Sequence, residues 1–427
     1  MHRGQGVDLE ATEMAIRTAM LQVGGVFLQQ LLDADTNRGY RGPRIPCGHG
    51  HEAQFVNYRS KRLTTVLSPV DLSRAYYHCA PCAHGVIPRD QELDIVGTSF
   101  SPGARRLMSR VGSKESFRAG QEDLAVLAEL PVNSKAVERI SEATGEQAEA
   151  WMDQERQAIW TGRLRSLIPP VPKLYIAMDG TGVPMISRET ADHTGKGEDG
   201  KAHTREAKLG CVFSQTREDD QGRPVRDPAS TTYTGAIEGA KAFGIRLYAE
   251  AVRRGLEKAT LVIALGDGAP WIWNLVAEHF PGAVCIVDLY HAREHLGDIA
   301  KLTLTTRQRQ NAWLAESCRL LDAGEVEQVI EAVQGLPARS QAAREEIRKT
   351  AGYFQTNMER MRYNRFRSMG LFVGSGVVEA GCKTLIQQRL KQAGMHWSVA
   401  GANAIIALRC CELSGRLEDY WEARSHG

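Results

Sequence analysis

Three acids far apart in the chain stand where metal-dependent chemistry could use them. Asp179 ends the apolar run KLYIAMDG and Asp267 ends ATLVIALGDG; glycine follows each at once. A carboxylate at the end of a buried strand is held rigidly and faces the rim of the sheet, where ligands bind in open α/β folds. The glycine that follows lets a ligand approach the backbone closely. Asp-Gly is also a common turn dipeptide, so a single such pair reads as a turn. Two of them on strand ends of one domain put the metal reading level with the turn reading. Glu379 opens a basic helix with Lys383, Arg389 and Lys391, where the helix dipole alone would favour an acid. Phosphodiester chemistry suits such a set. Two hard cations roughly 4 Å apart activate the attacking oxygen and stabilise the leaving one. Magnesium keeps several of its waters, so few protein carboxylates are required.

A second cluster lies in VDLYHAREHL. His291 and His295 sit at i and i+4, on one helical face, with Asp288 just before them. Ala292 stands where a zinc protease would carry glutamate, so a buried Asp and His that support the acidic site fit better. Nearer the start, Cys79 and Cys82 form a CxxC knuckle, and Cys47 precedes them in IPCGHGHE. Four N/S ligands close a structural zinc site and leave no position for substrate. The fourth ligand is assigned to His49, with His51 and His84 as rivals. Free thiols and surface histidines are the bland alternative. Lys383, Arg389, Lys391 and Arg409 are candidate phosphate contacts, although solvated helix faces usually look the same. Trp271 and Trp273 could stack on flipped bases, with packing the expected role of at least one.

These residues require a framework. The chain has 427 residues, enough for two or three domains, and a net charge of +2. That balance leaves room for a basic face inside a neutral total. No apolar run reaches membrane-span length, and MHRGQGVDLEATEMAIRTAM has no apolar signal core. The nine cysteines fit reduced thiols better than a disulfide frame. Residues 1–90 read as a helix followed by the strand-like Cys/His segment, and residues 91–168 as helical. The prolines at 169, 170 and 172 mark the next boundary. Residues 171–427 alternate strands and helices, a mixed α/β sheet interrupted by a helical block at about 302–366. In that block Ile347, Ala351, Phe354, Met358 and Met361 form one apolar stripe. GKGEDGKAHTREA is expected to be a loop, and IRLYAEAVRRGLEKA a helix weakened internally at Gly255. Leu124, Leu127 and Leu130 give one helix an apolar face; Pro131 and Asn133 break it; Ser134 caps the next, which carries Val137 and Ile140. Two helices with a short break suit a helix-turn-helix that reads DNA, although many helical hairpins never touch it.

The runs MDGTGVPM, EAKLGCVFSQT, STTYTGAIEGA, LGDGAPWIWNLVAEHFPGAVCIVDLYHAREHL and GSGVVEAGCKTLIQQRLKQAGMHW resemble bacterial insertion-sequence transposases of the Kra-four family. More distantly they are similar to Mutator-type DDE transposases. The resemblance covers most of residues 40–415. It implies an RNase H-like core with a helical insertion before the catalytic glutamate. It also implies two Mg2+ or Mn2+ ions on Asp179, Asp267 and Glu379, with Asp288 and His291 in support. Asp288 stays open as an alternative to Asp267. Implied partners are transposon-end and target DNA and further copies of the chain, the insertion contributing to that contact, in the bacterial cytoplasm at the nucleoid. The rival functions are a structure-selective nuclease on the same fold and a non-catalytic DNA-binding descendant.

Overall fold

The computed structural model describes residues 8–166, 168–195, 200, 202–374 and 376–425. The chain divides into two units, Met1–Ala143 and Thr144–Gly427. The division falls inside one long helix.

The first unit opens with α1 (Leu9–Ala34), capped by the Asp8 carboxylate, which accepts from the Ala11 amide. Four antiparallel strands follow in sequential order: β1 (Arg44–Pro46), β2 (Glu52–Leu63), β3 (Val70–Cys79) and β4 (His84–Val86). Their buried face carries Ile45, Ala53, Ala75 and Tyr77. After the short α2 (Pro88–Glu92) come α3 (Pro102–Lys114), α4 (Phe117–Ala128) and α5 (Ser134–Trp160). Ser101 and Ser116 cap α3 and α4. Leu124 and Leu130 bury against Met108, Val137 and Ile140. Leu127 does not join them and is exposed. The cap of α5 is Asn133, whose side-chain oxygen accepts from the Ala136 amide at 2.7 Å, not Ser134.

The second unit is built on a five-stranded sheet. Its strands are β5 (Lys173–Pro184), β6 (Thr204–Gln215), β9 (Thr232–Ala236), β10 (Leu261–Gly266) and β11 (Val284–Val287). A two-stranded ribbon, β7 (Arg217–Glu218) and β8 (Pro224–Val225), lies between β6 and β9 in the chain. The order is β11-β10-β5-β6-β9, with β5, β10 and β11 parallel and β6 and β9 antiparallel. Ile176, Ala177, Val212, Ile263 and Ile286 are buried, as the apolar runs dictate. The expected loop GKGEDGKAHTREA is partly strand, since β6 already begins at Thr204; residues 196–199 and 201 lie outside the described residues.

α6 (Ala240–Arg253) stops before Gly255. That glycine adopts φ +94° just past the helix end, so it ends the helix and does not weaken its interior. α7 (Pro270–His279) starts at proline, whose fixed φ and missing N–H suit a first helical position. The helical block comprises α8 (Leu289–Thr303), α9 (Arg307–Asp322), α10 (Val326–Gln334), α11 (Gln341–Asn357) and α12 (Tyr363–Ser368). Ile347, Ala351, Phe354 and Met361 of the apolar stripe are buried. The chain then returns through α13 (Gly376–Gly381), a π-helical stretch Cys382–Gln387 and α14 (Gln388–Leu390), before α15 (Val399–Leu413) and α16 (Leu417–Ser425). Among the described residues no helix is long and apolar enough to cross a membrane.

Candidate active site and metal centre

The register of the parallel strands brings the aspartates together. Ala177 of β5 pairs with Leu265 of β10, and Asp179 and Asp267 each stand two residues further on. Gly266 pairs with Val287, so Asp267 and Asp288 each follow one residue later on the next strand. Asp267 and Asp288 thus stand just past the ends of β10 and β11, and Asp179 stands where β5 leaves β10 while still paired with β6 as far as Pro184. Oδ1 of Asp179 accepts from the Gly180 amide at 2.7 Å, and Oδ1 of Asp267 from the Ala269 amide at 2.8 Å. Both side chains are half-buried. Asp288 is only 1% exposed; it caps α8 by accepting from the His291 amide at 2.8 Å, and its own amide donates to the Gly266 carbonyl. Those bonds fix it as a structural neighbour of the rim.

Glu379 approaches from the other side. α13 packs on β5 and β6, and Cys382, one helical turn after Glu379, hydrogen-bonds the Asp179 carboxylate. The thiol is pushed well up by burial and then by the Asp179 charge, so it stays protonated and donates. Burial raises the Asp179 pKa first, and the charge of Asp267 raises it further. Glu379 is raised by burial and then by Asp288. Four acids therefore repel one another at one rim, an excess of negative charge that a divalent cation would relieve. The three catalytic candidates do not close on a single point. Among the described residues, only Cys47, His51, Cys79 and Cys82 form a group of such ligand atoms all within 4.8 Å of one another.

Side chains not singled out in the sequence frame this rim. Tyr353 of α11 donates to the Asp267 carbonyl at 2.9 Å, which ties the helical block to the β10 end. Gly268 has φ +99°, and a Cβ there would meet the Tyr353 ring at 2.6 Å. At Gly180 a Cβ would meet the Glu206 carboxylate at 2.4 Å. Both glycines therefore make room for the protein's own side chains, not for a ligand. His291 and His295 do share a face, with rings 4.9 Å apart, and the His295 ring lies 4.3 Å from that of Tyr353. Burial, then His291, lowers the pKa of His295, so a neutral imidazole is favoured.

The basic candidates part company. Lys383 is exposed. Lys391 reaches Thr181, two residues past Asp179, with Nζ 2.6 Å from Oγ1; burial lowers its pKa. Arg389 is fully buried, its guanidinium 5.1 Å from the Trp397 ring, and cannot meet a phosphate at the surface. Arg409 is buried as well and donates to the carbonyls of Thr384 and Leu385. Those carbonyls belong to the π-helical stretch, where the shifted hydrogen-bond register calls for outside donors. Trp273 is buried and packs under Arg360, whereas Trp271 is half-buried beside Phe243 and Lys208.

In the first unit, Cys47 follows β1, His51 precedes β2, Cys79 ends β3 and Cys82 lies in the turn before β4. Sγ of Cys47 is 3.8 Å from Sγ of Cys82, and Nδ1 of His51 is 3.1 Å from the same sulfur. Tetrahedral zinc with bonds of about 2.3 Å sets sulfurs roughly 3.8 Å apart, so this donor set fits zinc. The fourth member is His51. His49 turns its ring toward His84, centroids 5.4 Å apart, while its amide donates to Cys47 Sγ at 3.4 Å. Gly48 and Gly50, at φ +83° and +81°, allow that tight turn. The His49 amide lowers the Cys47 pKa, whereas Cys79 leads the effects that push Cys82 up to about 11.

Residues 248–424 match the family described as an uncharacterised protein family, UPF0236. The matched stretch runs from α6 to α16; it holds Asp267, Asp288, His291 and Glu379 but neither Asp179 nor the Cys/His cluster. No curated protein matches the chain. Among solved structures, a Drosophila P element transposase strand transfer complex aligns at 10% identity and a TM-score of 0.25, over 79% of this chain and 84% of that one.

Proposed function

We propose that this protein is a DDE-type DNA transposase that hydrolyses phosphodiester bonds at transposon ends and joins the freed ends to target DNA. The observation that carries the reading is the convergence at one rim. Asp179 and Asp267 stand in register on adjacent parallel strands, and Glu379 lies one helical turn from the thiol that touches Asp179. We take the five-stranded mixed sheet with its inserted helices as the RNase H-like core implied by the resemblance.

Asp179, Asp267 and Glu379 would hold two Mg2+ or Mn2+ ions, which when bound supply Lewis acidity to the attacking and leaving oxygens. The protein's own groups do the positioning. The Gly180 and Ala269 amides orient the two aspartates. Asp288 fixes the first turn of α8 behind them, and Tyr353 fixes the Asp267 backbone. Lys391, and Lys383 on the outer face, supply positive charge for the phosphates. A water oxygen attacks phosphorus at the transposon end and the 3′-oxygen leaves. That 3′-hydroxyl then attacks a target phosphodiester in the same site and expels a 3′-oxygen of the target. Neither step requires a covalent protein–DNA intermediate. In the first unit, a zinc-closed sheet and the α4–α5 pair, proposed as a helix-turn-helix, would recognise the transposon ends.

The test is an assay on DNA that spans the boundaries of the protein's own gene. Divalent-metal-dependent nicking at those boundaries, and joining of a pre-cut 3′-end, are expected. Nicking without joining would leave a nuclease, and DNA binding without either would remove the catalytic reading.

A further inference from the structure

A helix that is apolar all round is normally buried all round. α1 is apolar on two opposite faces, and the described residues cover only one of them. The covered face is firmly seated. Leu28 and Leu32 pack on Leu63, Val70, Leu72 and Ile95. Gln29 exchanges two hydrogen bonds of 2.8 Å with the Asp71 backbone, and Thr18 donates to Glu129. Gly25 lies so close to Ser68 that a Cβ would collide with its hydroxyl. Glycine weakens a helix interior, so its presence here marks a seat worth that cost.

The other face is thereby held rigidly toward solvent. It carries Ile16, Met20, Val23, Phe27 and Leu31, each between 47% and 73% exposed. Such a stripe leaves on the order of 500 Å² of apolar surface, comparable to the largest patch of an ordinary monomer, which is often functional. Two copies face to face would bury roughly 1,000 Å², the size at which an interface becomes specific.

The spacing identifies the occupant. The stripe reads the same from either end: Ile16 and Leu31, and Met20 and Phe27, are symmetric about one midpoint, which Val23 adjoins. A two-fold axis there would set Ile16 against the partner's Leu31, and Met20 against the partner's Phe27. Val23 would lie near the axis, beside the partner's own Val23, while Gly24 is packed on its own chain's Leu67. A parallel pairing would instead bring together the acidic starts, Asp8, Glu10 and Glu13. We infer that α1 is a dimerisation helix that pairs antiparallel with α1 of a second copy of this chain. This inference does not rest on the transposase reading and relocates self-association away from the helical insertion.

Light scattering on the full chain, with far-UV circular dichroism as a folding check, tests it. The wild type should weigh twice 47.1 kDa. Met20→Glu alone and Phe27→Lys alone should each give folded monomers, since both positions are solvent-facing within one copy. The double variant Met20→Glu/Phe27→Lys sets opposite charges across an antiparallel pair and should regain the dimer. A monomeric wild type, single variants that stay dimeric, or a double variant that stays monomeric would each overturn the proposal. A monomer that instead binds lipid vesicles or another protein through this face would do the same.

Discussion

Asp179 and Asp267 occupy equivalent positions on neighbouring parallel strands, each two residues past the paired Ala177 and Leu265. Burial raises the Asp179 pKa, and the charge of Asp267 beside it raises it further. The same juxtaposition that makes the rim unfavourable for bare carboxylates makes it favourable for a cation.

The pH dependence follows from that repulsion. Asp179 and Glu379 both have folded-state pKa values raised above their ordinary 3.8 and 4.5. Between the ordinary and raised values the folded state binds more protons than the unfolded one. Stability of the metal-free protein should therefore fall as pH rises through that window. Divalent affinity should rise over the same window, because the cation binds the deprotonated carboxylates. Cys382→Ala removes a hydrogen bond to ionised Asp179 and should move the acid limb of activity to higher pH. Thermal melts with and without Mg2+, and a pH–rate profile, check both statements.

Tyr353 should prove a positioning residue. Tyr353→Phe removes the hydrogen bond to the Asp267 carbonyl at a cost of about 1 kcal/mol, or roughly 2–4 °C in Tm. Gly268→Ala should cost more, about 1–3 kcal/mol, since it meets both the φ of +99° and the Tyr353 ring. Gly268→Ala/Tyr353→Ala should not restore stability, because the backbone strain persists. Thermal unfolding of the three variants measures this.

The Cys/His centre discriminates between two neighbouring histidines. His51→Ala should weaken zinc binding at the first unit, and His49→Ala should leave the stoichiometry near one ion per chain. Elemental analysis, with Co2+ absorption as a coordination probe, decides between them. Acidification should release the ion as the thiolates regain protons.

The basic residues divide by burial. Lys383→Gln should weaken DNA binding about equally across sequences and lower the salt slope by roughly 1. Arg389→Gln should instead destabilise the fold, because its guanidinium lies wholly inside. Binding isotherms at several salt concentrations, set beside melting curves, separate the two effects.

The elements that hold the site were readable from their apolar runs, although Asp-Gly marks a strand end only after β10, and β5 runs on past Asp179 to Pro184. What escaped was whatever depends on long-range contact. Arg389 and Arg409 looked like a solvated basic face, since one-dimensional spacing cannot tell that the first would pack on Trp397 and the second on the carbonyls of Thr384 and Leu385. Cys382 read as a scattered thiol, although its place one turn after Glu379 was the available signal. His49 and His51 are two residues apart, and the β1–β2 turn, with glycines at φ near +80°, decides which ring meets the sulfurs. Gly255 looked like a flaw inside a helix until its left-handed φ made it the helix terminus. The glycines after the aspartates pointed to ligand approach, yet Tyr353 and Glu206 occupy that space.

The central claim is that Asp179, Asp267 and Glu379 jointly hold divalent cations for cleavage. Counting Mn2+ by electron paramagnetic resonance on the zinc-loaded protein with its own end DNA tests it most directly. About two ions per site are predicted for the wild type. Asp179→Asn, Asp267→Asn and Glu379→Gln should each lose at least one ion and slow cleavage by roughly a hundredfold or more, while DNA affinity is retained. Variants that bind Mn2+ and cut DNA as the wild type does would contradict the account.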